Sequence, residues 1–251
     1  MWLVLCDARD AAAAWAGQQL RARGLQPLEI LSADQLALSD FQEHRLEGRS
    51  GWTLRLRTEA GLQVDGAGLQ GVLNRLYTVP IAHWRQAPEA DQSYVQQELV
   101  AFFLSWLFAL RCPVINRPTP QGLCGQWRME SEWAWLARQA GLPVAPYRQT
   151  SRDRIDEARG ARRLVPEGAL VRTVVVAGGR VIGPALPPAI AEACVRLAEL
   201  AGTALLGIDF VSHVQQPWSF AGASPTPDLR VGGEALISAL LGALTRHREA
   251  A

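Results

Sequence analysis

The chain has two asparagines, and each ends an apolar run and precedes an arginine: Val72-Leu73-Asn74-Arg75 and Val114-Ile115-Asn116-Arg117. An asparagine at a strand end can bond exposed backbone, and an arginine beside it offers a planar fork that fits a carboxylate or a phosphate. Ligands of open α/β sheets gather outside the carboxyl ends of the strands, so the repeated pair reads as a small-anion site made of Asn74, Arg75, Asn116 and Arg117. The same residues also suit two ordinary strand-to-loop turns with arginines facing water. The repetition favours a site.

Other chemistries are excluded by residue type. All 25 basic residues are arginine. Without lysine there is no Schiff base, no P-loop lysine and no ammonium for a nucleotide phosphate. No serine sits in a G-x-S-x-G elbow, and His44, His83, His213 and His247 are isolated and read as solvated. Cys6, Cys112, Cys124 and Cys194 form no C-x-x-C and read as buried free thiols. Gly66-Ala67-Gly68-Leu69-Gln70-Gly71 matches G-x-G-x-x-G by letter, but a strand follows it where a dinucleotide site needs a helix, so it reads as a turn. Trp84, Trp127, Trp133 and Trp135 have no basic residues interleaved on one face and read as core packing, not base stacking.

The elements that must position these residues are legible in outline. Residues 2–6 suit a buried strand, Asp10 caps a helix that stops at Gly24, and a second strand covers 28–31. The alternation of 52–58 and the turn at Glu59-Ala60-Gly61 predict an antiparallel hairpin with 62–64. Residues 71–74 and the run ending at Asn116 are further strands, separated by a helix opening at Asp91 or Ser93 and reaching Leu110. From Ser131 a helix carries Trp133, Leu136, Ala137 and Ala140 inward and closes at Gly141. Residues 150–165 are dense in charge and predict a short exposed connector that covers no cleft. A hairpin around Gly178-Gly179, a helix from Pro188 to Gly202, a strand pair at ALLGIDFV and WSFAGAS, and a helix over Gly233–His247 complete the chain.

At 251 residues, 49% hydrophobic and a net charge of +1, the chain can bury one or two cores and is no basic nucleic-acid scaffold. The opening MWLVLCDARD lacks a basic n-region and reads as a strand, and the longest uncharged apolar stretch, 99–110, is short of the ~20 residues of a membrane span. The expected location is cytoplasmic, with no nucleic acid and no membrane as partner.

Three colinear segments resemble the ATP-grasp superfamily of carboxylate–amine ligases. VINRP with the helix leading to GLPVAPYRQT is similar to the family's entry into its central domain, ALVRTVVVAGGRVIG to its "dvRvvvvggrv" strand pair, and LLGIDFVSHVQQPWSF to its closing "GiDfv" segment. The resemblance implies an α/β fold: an open, parallel-type, pre-ATP-grasp-like sheet over 1–118, then a truncated α+β ATP-grasp-like domain over 119–251. It also implies Mg–ATP and an acyl-phosphate step, against which the departures weigh. Arg128 stands near the family's lysine, the lid strands have shrunk to the connector, and Gly222 and Ser224 stand where the family has Glu and Asn beside the retained Asp209. Arg128 keeps the charge but changes reach and hydration.

The expected protein is therefore a degenerate, non-catalytic, ligase-like binding or partner subunit, with no cofactor. Its ligand-facing residues would be Asn74, Arg75, Asn116, Arg117, Arg128 and Arg172. Asp209 would cap backbone or pair with an arginine such as Arg172. The alternatives are an active ATP-dependent ligase with an atypical nucleotide site, in which Asp209 binds Mg²⁺, and a small anion- or carboxylate-binding protein. Loss of the lid would leave Val174, Val176 and Ile208 near solvent, to be covered by a homodimer or a biosynthetic enzyme.

Overall fold

The computed structural model describes residues 1–48, 51–145, 170–211 and 218–246. The predicted connector at 150–165 lies outside them. The chain divides into two compact units, one made of Met1–Gln126 with Ile237–Ala251 and the other of Trp127–Leu236. The loop beyond residue 118 goes with the first unit because its Leu123 carbonyl and Cys124 thiol both bond Asn74.

The first unit opens with β1 (Trp2–Cys6), α1 (Ala11–Ala22) and β2 (Leu28–Ser32). Asp10 caps α1 by accepting from the Ala13 N–H at 2.9 Å. Ser32 and Gln35 form a capping box on the short α2 (Ala33–Ala37). The strands β3 (Phe41–Glu47), β4 (Gly51–Arg57) and β5 (Gln63–Asp65) make a separate antiparallel sheet in the order β3-β4-β5. The hairpin read from the sequence is β4–β5. β3 was not expected, because charged and polar residues fill most of its positions and hide the alternation.

After a 3-10 turn at Gly66–Gly68, β6 (Gly71–Asn74) follows directly, as the turn reading of the glycine motif requires. The helix α3 (Glu89–Ala109) starts behind Pro88, slightly earlier than expected, and leads to β7 (Val114–Ile115). The main sheet is parallel in the order β2-β1-β6-β7. Its β1 core, Val4 and Leu5, is fully buried, and Phe103, Trp106 and Leu107 of α3 are buried as well.

The second unit holds α4 (Glu130–Ala140), β8 (Val171–Ala177), β9 (Arg180–Ile182), α5 (Pro188–Ala201), β10 (Leu205–Val211) and β11 (Ser219–Ser224). Its sheet is antiparallel in the order β11-β10-β8-β9. Gly141 and Gly202 end α4 and α5 in the left-handed region at φ 90° and 64°, where a side chain would be strained. The closing helix, α6, spans Gly233–Thr245.

Two expectations about exposure fail here. Val174, Val176 and Ile208 are not near solvent, because strand alternation turns them toward α4 and α5, where they pack with Leu136, Ala137 and Leu197 at 2% exposure or less for the three strand residues. Burying each is worth about 1.5–3 kcal/mol. Of the tryptophans read as core, only Trp133 is buried; Trp135, two positions on, lies on the outer side of α4, and Trp127 is exposed ahead of it. Among the described residues no helix is long and apolar enough to cross a membrane.

Candidate functional site

The parallel pairing of β6 with β7 sets Leu73 beside Ile115, so Asn74 and Asn116 leave the same edge of the sheet together. Asn74 is fully buried. Its Nδ2 donates to the Asn116 and Leu123 carbonyls at 2.8 and 2.7 Å, and its Oδ1 accepts from the Leu76 N–H at 3.1 Å. The amide thus fastens three loop segments to the sheet edge. Asn116, also buried, takes the left-handed backbone at φ 56°, a conformation its short polar side chain tolerates.

Arg75 is 4% exposed, and its Nε donates to Asp10 Oδ2 at 2.7 Å. Asp10 therefore holds two groups at once, the first turn of α1 with one oxygen and Arg75 with the other. Arg117 points away from this cluster. Its two terminal nitrogens donate to the carbonyls of Phe108, Leu110 and Cys112 at 2.9, 3.0 and 3.2 Å. It satisfies the carbonyls that α3 leaves open at its C-terminus. The structure brings Asn74, Arg75 and Asn116 together and sends the Arg117 fork to a helix end.

In the second unit, Asp209 on β10 stands opposite Thr173 on β8 and Gly222 on β11. Its Oδ1 accepts from the Thr173 hydroxyl at 2.6 Å. The expected pairing with Arg172 does not form. Arg172 precedes Thr173 on β8, so it projects to the opposite face and stacks over Trp218, 5.4 Å from the ring centroid. Arg128 is drawn inward: it bonds Glu132, reaches the Ala201 carbonyl at 3.3 Å and lies over the Trp133 ring at 5.6 Å.

One polar pair had no signal in the sequence. His44 Nδ1 lies 3.0 Å from Ser105 Oγ, a contact between β3 and α3 across 61 residues. Burial pulls the His44 pKa below its ordinary value, and its Nε2 is buried without a partner among the described residues. His83 fits the solvated reading, lying exposed 3.5 Å from Asp34. Cys6, Cys124 and Cys194 are buried free thiols, while Cys112 is half-buried.

No family model matches the chain, and no curated protein matches it. Solved structures do. The macrocyclase MdnB from Microcystis aeruginosa superposes with a TM-score of 0.70 at 15% identity, over 97% of this chain and 98% of that one. The ATP-grasp ligase PsnB, solved with a phosphomimetic minimal precursor, Mg and ADP, gives 0.70 at 17% identity over 98% of both chains. The chain has an ATP-grasp fold.

Within this ATP-grasp fold, the β8–β10–β11 face offers few hard donors. Asp209 is its carboxylate, with the Thr173 and Ser224 hydroxyls nearby in register. A nucleotide-bound Mg²⁺ draws on one or two carboxylates together with substrate phosphates. Here the one carboxylate already accepts a hydroxyl bond, and Gly222 occupies the place across from it. Among the described residues no cluster of three His, Cys, Asp or Glu could hold a metal. The strand pair thus supplies, among the described residues, one carboxylate, the lower end of what a nucleotide-bound Mg²⁺ draws on. A Cβ built on Gly222 would meet nothing within 4 Å among the described residues.

Proposed function

We propose that this ATP-grasp ligase-like protein is a peptide-binding or partner subunit of a biosynthetic enzyme and does not transfer phosphate to a carboxylate itself. The observation that carries the reading is Gly222 opposite Asp209, which leaves the strand pair one carboxylate for a cation. The absence of lysine and the commitment of Arg128 to Glu132 and Ala201 support it. Peptide recognition is suggested by the structural neighbours: MdnC, with a TM-score of 0.73 at 11% identity over 97% of this chain and 98% of that one, was solved bound with the precursor peptide MdnA. A Chryseobacterium gregarium RiPP-associated ATP-grasp ligase was solved with ADP and a leader and core peptide.

Asn74, Arg75 and Asn116 act in this reading as the brace of the sheet edge, and Arg117 as the cap of α3. Purification from native cells, with mass spectrometry of what is retained, tests the proposal together with ADP release from Mg–ATP. The reading expects a bound peptide or enzyme and no ADP above the rate without protein. ADP formation that rises with protein concentration and is lost in Asp209→Asn would overturn it.

A further inference from the structure

The strand β3 forms one edge of the three-stranded sheet, and among the described residues it pairs on one side only. Its seven residues match β4 one for one from Phe41↔Arg57 to Glu47↔Gly51, with no bulge and no proline. Such an edge is a template for another strand, and charged side chains on it, like bulges or proline, limit which strands it accepts. The charges of β3, Glu43, Arg45 and Glu47, lie together on one face by strand alternation. Arg45 bridges its neighbours, at 2.9 Å from Glu43 and 3.6 Å from Glu47. Leu46 is 67% exposed on the other face.

This order of charges selects a partner. When two copies of one strand pair antiparallel about a two-fold axis, the axis stands perpendicular to the sheet and passes through a whole-residue position. Centred on His44, the pairing sets Glu43 against Arg45 of the second copy, and Arg45 against Glu43 of the second copy. Phe41 then meets Glu47, and Gln42 meets Leu46. Moving the centre one residue to Arg45 sets arginine against arginine and Glu43 against Glu47. Centring on Glu43 sets glutamate against glutamate. Cross-strand pairs of opposite charge stabilise a ladder and like charges oppose it; centring on Leu46 also sets Arg45 against Glu47 but overlaps only three residues of each strand, whereas the His44 register is charge-complementary over all seven.

We propose that β3 is a self-association edge, at which a second copy of this chain pairs antiparallel about His44 and joins the two sheets into one. The interface is isologous, with each copy offering the same residues. A ladder of this length sits at the small end of specific interfaces, so the dimer should form in roughly the micromolar range.

Sedimentation of the full chain over roughly 1 to 100 µM tests this, with charge-swapped variants at Glu43 and Arg45. The wild type should pass from monomer to dimer. Glu43→Arg alone and Arg45→Glu alone each set like charges against each other twice, and each should weaken association by about tenfold or more. Mixing the two single variants restores opposite charges at every such contact, so the mixture should form a heterodimer. The double variant carrying both changes should dimerise again, which keeps the test open if one single variant folds poorly. A wild type that stays monomeric overturns the proposal, as does a dimer that neither single change weakens. A monomer whose Phe41–Glu47 amides become protected from exchange only when a peptide is added also overturns it, and gives the edge to the peptide.

Discussion

Asp10 and Arg75 carry the densest electrostatics at the sheet edge. The pair is 2.7 Å apart, with side chains 15% and 3% exposed. Removing one partner leaves the other charge buried, so Arg75→Leu should cost about 3 kcal/mol in urea unfolding, and a change of that size would set it apart from a surface arginine. The thiols make a second prediction. Burial pushes Cys6 up to about 11 and Cys124 and Cys194 up to about 12. Folded, they stay protonated at pH 9 to 10, whereas an unfolded chain sheds these protons above about 8.5. The unfolded state then binds fewer protons, so stability should fall as pH rises from about 8.5 to 10. His44 works in the other direction: burial lowers its pKa, the unfolded chain takes up its proton first, and acidification below about 6.5 costs stability. Urea midpoints across this range check both limbs, and a midpoint flat from pH 8 to 10 would contradict the thiol assignment.

Among the elements, helix ends and strand edges did most to fix what the sequence could reveal. The stops at Gly141 and Gly202, the Asp10 cap and the turn at Gly178-Gly179 were legible because each depends on a few adjacent residues. The strand β3 was not, since its half-buried face carries Gln42 and His44 in place of an apolar run. Long-range commitments were equally hidden: spacing does not say that Arg117 turns back to α3, or that Asp209 meets Thr173 and not Arg172. The Arg117 cap predicts that Arg117→Lys will not rescue Arg117→Ala, because one ammonium cannot reproduce a fork across three carbonyls. Both variants should lose about 1–3 kcal/mol by denaturant unfolding. At the β10–β11 pair, the open space over Gly222 predicts that Gly222→Glu folds with a loss of no more than about 1 kcal/mol. A large loss would show that the place across from Asp209 is closed.

For the whole molecule, the order of elements was legible and the chemistry was not. Colinear strand and helix signals pointed to the ATP-grasp fold, and structures of 11–17% identity match the chain over nearly its full length. Activity depends on a few donors, and on β10 and β11 these come down to Asp209 facing Gly222. Binding of Mg–AMPPNP, followed by calorimetry and by melting temperature for the wild type and Asp209→Asn, tests that claim most directly. No metal-dependent binding is expected at millimolar nucleotide, with the same small response from both proteins. A metal-dependent rise of several degrees in the wild type that disappears in Asp209→Asn would contradict the claim.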